Sequence, residues 1–276
     1  LRRILFIAPL LLLAPFLWVW AVERPSNERD WSRDQRLLPR ATFSGSKVTI
    51  ENVRNFRYGS EHDYAPVHET RTYDLTALDS LWFVVERFDK PGIAHTLLSY
   101  GFGDEFVSVS VEIRKERGES YSPMKGLFRQ YELMYVVGDE RDLIGLRTNH
   151  RRDVVYMYPV RTTPEKMRAA FVDMLRRANK LAAEPEFYNT LTSTCTTNIV
   201  RHVNTISPKR VPLSYKVLLP AYSDHLAYEL GMIPNLAPFE RVQAAHRIDL
   251  VAQSAPIDDD FSRRIRSGIG RAAGSQ

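Results

Sequence analysis

Between Val48 and Val160 apolar residues fall in short runs, several with alternating polar neighbours, and after Pro159 their spacing changes to three and four. A period of two sends alternate side chains to opposite faces of a strand, whereas a period near 3.6 makes one stripe along a helix. Val48 with Ile50, Thr70–Leu75, Leu81–Phe88, Ile93–Phe102, Phe106–Ile113, Leu133–Val137 and Val154–Val160 therefore read as strands, rich in β-branched and aromatic residues and bounded by turn residues. A chain with strands first and helices after predicts an α+β fold, a mostly antiparallel sheet packed on helices.

Thr163 followed by Pro164 is a helix start, and Met167, Phe171, Met174, Leu175, Ala178 and Leu181 extend one apolar face as far as Pro185. A second helix is expected from about Cys195 to Ile206, stopped by Pro208. A third, Tyr215 to Leu230, is interrupted by Pro220 and capped by Gly231.

Ahead of the strands, Arg2 and Arg3 precede an uncharged stretch from Ile4 to Val22, close to the ~20 residues that cross a bilayer. With Trp18 and Trp20 at its end, this reads as a transmembrane signal anchor over residues 1–22. The arginines place the rest of the chain outside the cytoplasm, held by a single pass. A cleaved signal peptide is the other reading, and it exports the domain equally. Residues 23–44 read as a polar juxtamembrane linker, 45–233 as the catalytic domain and 234–276 as a polar, solvated, partly disordered extension. The formal net charge of +5 suits an anionic membrane surface, and the absence of a dense Lys/Arg run argues against a nucleic-acid partner.

The chain has one cysteine, which excludes an internal disulfide framework. Cys195 follows the hydroxyl-rich stretch Asn189-Thr-Leu-Thr-Ser-Thr194, with Ser193 or Thr194 as helix cap, so it falls in the first turn. Free backbone N–H groups and the positive helix end stabilise a thiolate there and can hold an oxyanion. The Cys195 N–H and the Asn198 side chain are the candidates for that oxyanion site. The bland alternative is an idle cysteine beside a capping cluster.

The thiolate needs a base. His202 lies seven positions along the same helix, about 10 Å of rise at ~1.5 Å per residue, too far to reach. His62 and His68 flank Asp63 at no zinc-motif spacing, and no metal or cofactor is expected. His150 stands with Arg147, Arg151 and Arg152 in what reads as a surface turn, and His225 and His246 read as structural or solvated. His95 differs. A hairpin turning at Gly103-Asp104 pairs residues whose numbers sum to 207, so His95 faces Glu112 on the side that carries Ser99, Ser108 and Ser110. Glu112 can accept the imidazole N–H and fix its tautomer. An ordinary cross-strand His–Glu pair is the alternative.

Taken together, Asn52-Val-Arg-Asn-Phe-Arg-Tyr58, Arg71-Thr-Tyr-Asp-Leu75, Ile93-Ala-His-Thr96, Val111-Glu-Ile-Arg-Lys-Glu116, Phe128-Arg-Gln-Tyr-Glu-Leu133 and Tyr188-Asn-Thr-Leu191 leading to Cys195-Thr-Thr-Asn198 resemble the Lnb N-terminal periplasmic domain family. The resemblance implies a circularly permuted papain-like fold, with Cys195 as nucleophile, His95 as base and Glu112 as third member. Thr196 and Asn198 would support the site. It further implies acyl transfer from a phospholipid donor to the amine of a bacterial lipoprotein. A peptidoglycan-directed cysteine amidase or peptidase, and a non-enzymatic membrane-tethered module, are the competing functions.

Overall fold

The computed structural model describes residues 22–269, which form an α+β domain. Among these residues no helix is long and apolar enough to cross a membrane, and the proposed anchor lies almost wholly outside them. The main sheet is built from β1 (Arg40–Ser44), β2 (Lys47–Arg54), β5 (His68–Asp74), β6 (Ser80–Arg87), β7 (Ala94–Phe102), β8 (Glu105–Arg114), β9 (Glu132–Asp139) and β10 (Val154–Pro159). Its order is β1-β2-β9-β8-β7-β6-β10, with β5 also on β2, and β3 (Arg57–Tyr58) and β4 (Tyr64–Ala65) form a separate ribbon. All neighbours are antiparallel except β2 with β9.

Alternation along β8 dictates which way the sheet faces. Val107, Val109 and Val111 join a core that includes Phe83, Val85, Leu98, Tyr100 and Tyr135. Helix α1 (Pro123–Leu127) lies in the β8–β9 connection and α2 (Glu140–Gly145) follows β9. Helix α3 (Pro164–Ala183) packs on that core through Met167, Phe171, Met174 and Leu175, and α4 (Cys195–Ile206) does so through Cys195 and Ile199. Thr163 caps α3 by accepting from the Lys166 N–H, and Pro164 sits in the first turn.

The opposite face of the sheet corrects the sequence reading. Residues 234–276 are expected to be a solvated extension, yet residues 248–269 cover this face, while Ala237 and Val242 pack on the first core. After α5 (Tyr215–Leu218) and α6 (Ser223–Glu229) come α7 (Phe239–Ala245), α8 (Asp249–Ala252) and α9 (Phe261–Arg266). Ile248, Ala252, Phe261 and Ile265 are buried against Val84, Leu97, Val155 and Met157. The segment reads as polar because its apolar residues are sparse, and one side of each short helix suffices to seal a sheet face. Arg266 lies over the Phe106 ring at 3.5 Å and pairs with buried Glu140 at 2.6 Å, so part of the basic run is structural.

Residues 23–44 are likewise bound to the domain rather than forming a free linker. Trp31 is buried beneath the Arg114 guanidinium, 4.2 Å from its ring centroid. Arg114 also donates to the Gln35 and Arg36 carbonyls, and Asn179 on α3 bonds both backbone groups of Ala41 in β1.

Because Phe261 is fully buried, Phe261→Ala is expected to lower unfolding free energy by about 3–5 kcal/mol. Leu236→Ala, at a 92% exposed position, should change it by less than about 0.5 kcal/mol. Equilibrium urea unfolding of the two variants checks this, and equal effects would mean the C-terminal helices are only loosely attached.

Candidate active site

The hairpin of β7 and β8 turns at Gly103-Asp104, with Gly103 at a φ of +67° that suits a residue without Cβ. Its register runs from Phe102↔Glu105 to Leu97↔Ser110, and every pair sums to 207. The ladder stops there, although β7 starts at Ala94 and β8 runs on to Arg114. The strands part, and the first turn of α4 meets the opening.

Thr194 is the α4 cap. Its hydroxyl accepts from the Thr197 N–H while the Thr197 hydroxyl accepts from the Thr194 N–H, a reciprocal capping box. Cys195 is consequently the first helical residue, buried, with its sulfur 3.8 Å from the Thr196 hydroxyl. Thr196 is hydrogen-bonded at 3.1 Å to Thr96 on β7, which pins the helix to the strand. Where β8 has left, the thiol lies against Thr96 and His95, both of which favour its ionised form.

His95 is held from its other side. Its Nε2 lies 2.7 Å from Ser110 Oγ and 3.1 Å from Glu112 Oε1. Ser110 donates to that same carboxylate oxygen at 2.7 Å, so its hydroxyl is free to accept from Nε2–H. This arrangement fixes the proton on Nε2 and leaves Nδ1 for the thiol. Glu112 also receives Arg147 at 2.9 Å, and Arg147 reaches buried Glu86 at 2.7 Å. Arg151 joins Glu86 at 3.3 Å.

Burial alone would raise the Cys195 thiol, but the adjacent His95 charge and the hydrogen bonds from His95 and Thr96 bring it down to about 7. Burial would depress His95, and the charges of Glu112 and the thiolate outweigh it and raise the imidazole to about 10. Glu112 is held well below the usual carboxylate range: burial opposes ionisation, but His95 and Arg147 prevail. The three groups thus favour a thiolate beside an imidazolium between these two values. Farther along the chain of charges, burial and the neighbouring Glu86 raise Asp153 to about 7.

The thiol opens into a cleft of about 390 Å³, walled by His95, Glu112, Arg147, Tyr121, Tyr188 and Leu219 among others. Asn198, expected to donate to an oxyanion there, is turned away. Its Nδ2 donates to the Thr194 carbonyl at 2.8 Å and Ser193 Oγ at 3.2 Å, and its Oδ1 accepts from Arg201. Tyr188 lines the cleft beside the thiol, and burial first, then the thiolate charge, keeps its hydroxyl protonated to high pH. Sequence reasoning passed over Tyr188 because an aromatic before a loop is usually packing. Ser110 was placed on the right face but given no role.

Arg147 is a further correction. Its expected surface turn is a buried π-helical turn, Leu146–His150, and the guanidinium is almost wholly enclosed. His202 bonds Tyr135 and Asp173 at 2.7 Å each, and His246 is buried with Nδ1 on the Val242 carbonyl. Among the described residues no three His, Cys, Asp or Glu side chains are grouped to hold a metal ion.

The protein is thus an α+β domain whose one cysteine starts a helix against a histidine held by a glutamate. The family model described as the Lnb N-terminal periplasmic domain matches residues 64–221, more than half of the chain, and the protein belongs to that family. No curated protein and no solved structure matches it.

Alkylation of Cys195 by iodoacetamide should speed up as pH rises, because deprotonation makes the nucleophile, with a midpoint near 7. A free cysteine titrates at ~8.5. His95→Ala removes the favourable charge and leaves burial, so the midpoint should move above ~8.5. An unchanged midpoint would show that His95 does not govern the thiol.

Proposed function

We propose that the protein is a membrane-associated periplasmic cysteine acyltransferase, moving an acyl chain from phospholipid to a lipoprotein amine through a thioester on Cys195. The observation that carries this reading is the buried thiol paired with an imidazole whose far nitrogen is fixed by Ser110 and Glu112. Membership of a periplasmic domain family supports the location, and the apolar segment from Ile4 to Val22 would serve as the single-pass tether. The order of elements, histidine-bearing hairpin before cysteine-bearing helix, supports a permuted papain-like assignment.

In the first half-reaction the Cys195 thiolate attacks the donor's ester carbonyl. The developing oxyanion is met by the Cys195 backbone N–H at the helix start and the Tyr188 hydroxyl. Collapse breaks the C–O bond, and the departing alkoxide takes the proton of the His95 imidazolium. In the second, His95 removes a proton from the attacking amine. The C–S bond then breaks, and the thiolate–imidazolium pair returns. Glu112 holds the ring throughout and stays ionised.

Incubation with phospholipid vesicles followed by mass spectrometry should show a fatty acyl adduct on Cys195, absent in Cys195→Ala, and that variant should not transfer acyl chains. A peptidyl adduct instead would favour a peptidoglycan-directed amidase. No adduct, with unaltered lipoprotein acylation in the variant, would overturn the reading. Tyr188→Phe should lower kcat by roughly 10²-fold with KM little changed, as for loss of one oxyanion donor. Stopped-flow acylation kinetics check it, and an unchanged kcat would remove Tyr188 from the mechanism.

A further inference from the structure

Large apolar side chains left in water are unevenly placed on this molecule. Of the eleven among the described residues, seven belong to two sides of the Cys195 cleft. Tyr121, Met124 and Leu191 stand on one side, where Tyr121, Pro123 and Thr190 line the cleft. Thr190 donates to the Pro123 carbonyl at 2.7 Å and ties those two loops into one lip. Leu213, Tyr215, Leu219 and Tyr222 stand on the other, where Leu218, Leu219 and Pro220 line the cleft.

The second lip is firmly held, so its exposure is not that of a loose loop. Arg87 donates to the Ala221 carbonyl at 3.0 Å and pairs with buried Asp224 at 3.2 Å. Ala221 N–H reaches the Gly92 carbonyl, and the Tyr215 and Tyr222 rings meet edge-on at 5.9 Å. A rigid exposed apolar patch beside a reaction cleft marks an interaction surface. Charge selects the partner. Residues 207–222 carry no acidic residue; Lys216 is paired with Glu229 at 2.6 Å, and Lys209 and Arg210 stand exposed as the lip's cations. On the facing lip Glu119 lies 3.7 Å from Lys125, and Glu116 in the same loop pairs with Arg29. Tyrosines, leucines and lysines in one surface are the composition that seats in the boundary of an anionic bilayer.

We infer that the two lips flanking the Cys195 cleft dock on the anionic face of a phospholipid bilayer, so that an acyl ester enters the cleft directly from the lipid. This rests on the acyltransferase reading of the site, but its test does not depend on turnover. Single tryptophans would be introduced in the full-length Cys195→Ala protein by Met124→Trp, Leu213→Trp and Tyr215→Trp. Leu236→Trp and Leu250→Trp, exposed positions away from the lips, serve as controls. Each protein is reconstituted in phosphatidylethanolamine–phosphatidylglycerol vesicles with or without brominated acyl chains, and the parent's emission is subtracted.

The three lip tryptophans are expected to lose most of their added emission to brominated lipid, and the two controls little. Lys209→Glu with Arg210→Glu should restore much of the lip signal. Equal quenching at all five positions, or none at the lips, overturns the proposal and leaves the patch to a protein partner. Lip quenching without a thioester on the wild-type Cys195 would sink only the chemistry, and a thioester without lip quenching only the docking.

Discussion

The site depends on one interruption of the sheet. Pairing between β7 and β8 ends at Leu97 and Ser110, while each strand continues. Inside a complete ladder the Thr96 N–H would be consumed by a neighbouring strand. Where the strands separate, that N–H and the His95 ring become available to a side chain arriving from another layer. The first turn of α4 supplies that side chain, and Thr196 fastens it through the Thr96 hydroxyl. A helix start also brings free N–H groups of its own, so thiol, imidazole and backbone donors converge at a single opening.

Holding that opening in shape uses buried charge. Ion pairs out of water are weak contributors to net stability, because desolvation offsets much of their attraction. The Glu112–Arg147–Glu86 chain is therefore better understood as fixing position. Glu112 is placed by Ser110 and Arg147 as well as by His95, so the carboxylate stays ionised and aimed at the imidazole. Removing Arg147 would leave two carboxylates short of a partner in a largely enclosed site.

Much of this was legible along the chain. The hairpin register followed from a two-residue turn and a face alternation, which is why His95 and Glu112 could be matched before any coordinates. The cap at Thr194 followed from hydroxyls before an apolar stripe. The illegible parts share a cause: each depends on a partner far away in sequence. Arg147 looks like one of several surface arginines until Glu86 and Glu112 are seen around it. Asn198 looks like an oxyanion donor until the cap is seen to hold its Nδ2 and Arg201 its Oδ1. Phe261 and Ile265 look like isolated apolar residues in a charged tail until the second face of the sheet is found beneath them.

Local physics thus settled the strands, the hairpin pairing, the helix starts and the short list of reactive groups, since periodicity, turn geometry and capping act over a few residues. Tertiary structure alone decided that the strands part beside Thr96, that Asn198 is turned into the helix cap and that Tyr188 walls the cleft. It also decided that residues 23–44 and the C-terminal helices belong to the folded domain. Those outcomes turn on which surfaces exclude water from one another, and desolvation is a property of the assembled layers that no short stretch of chain contains.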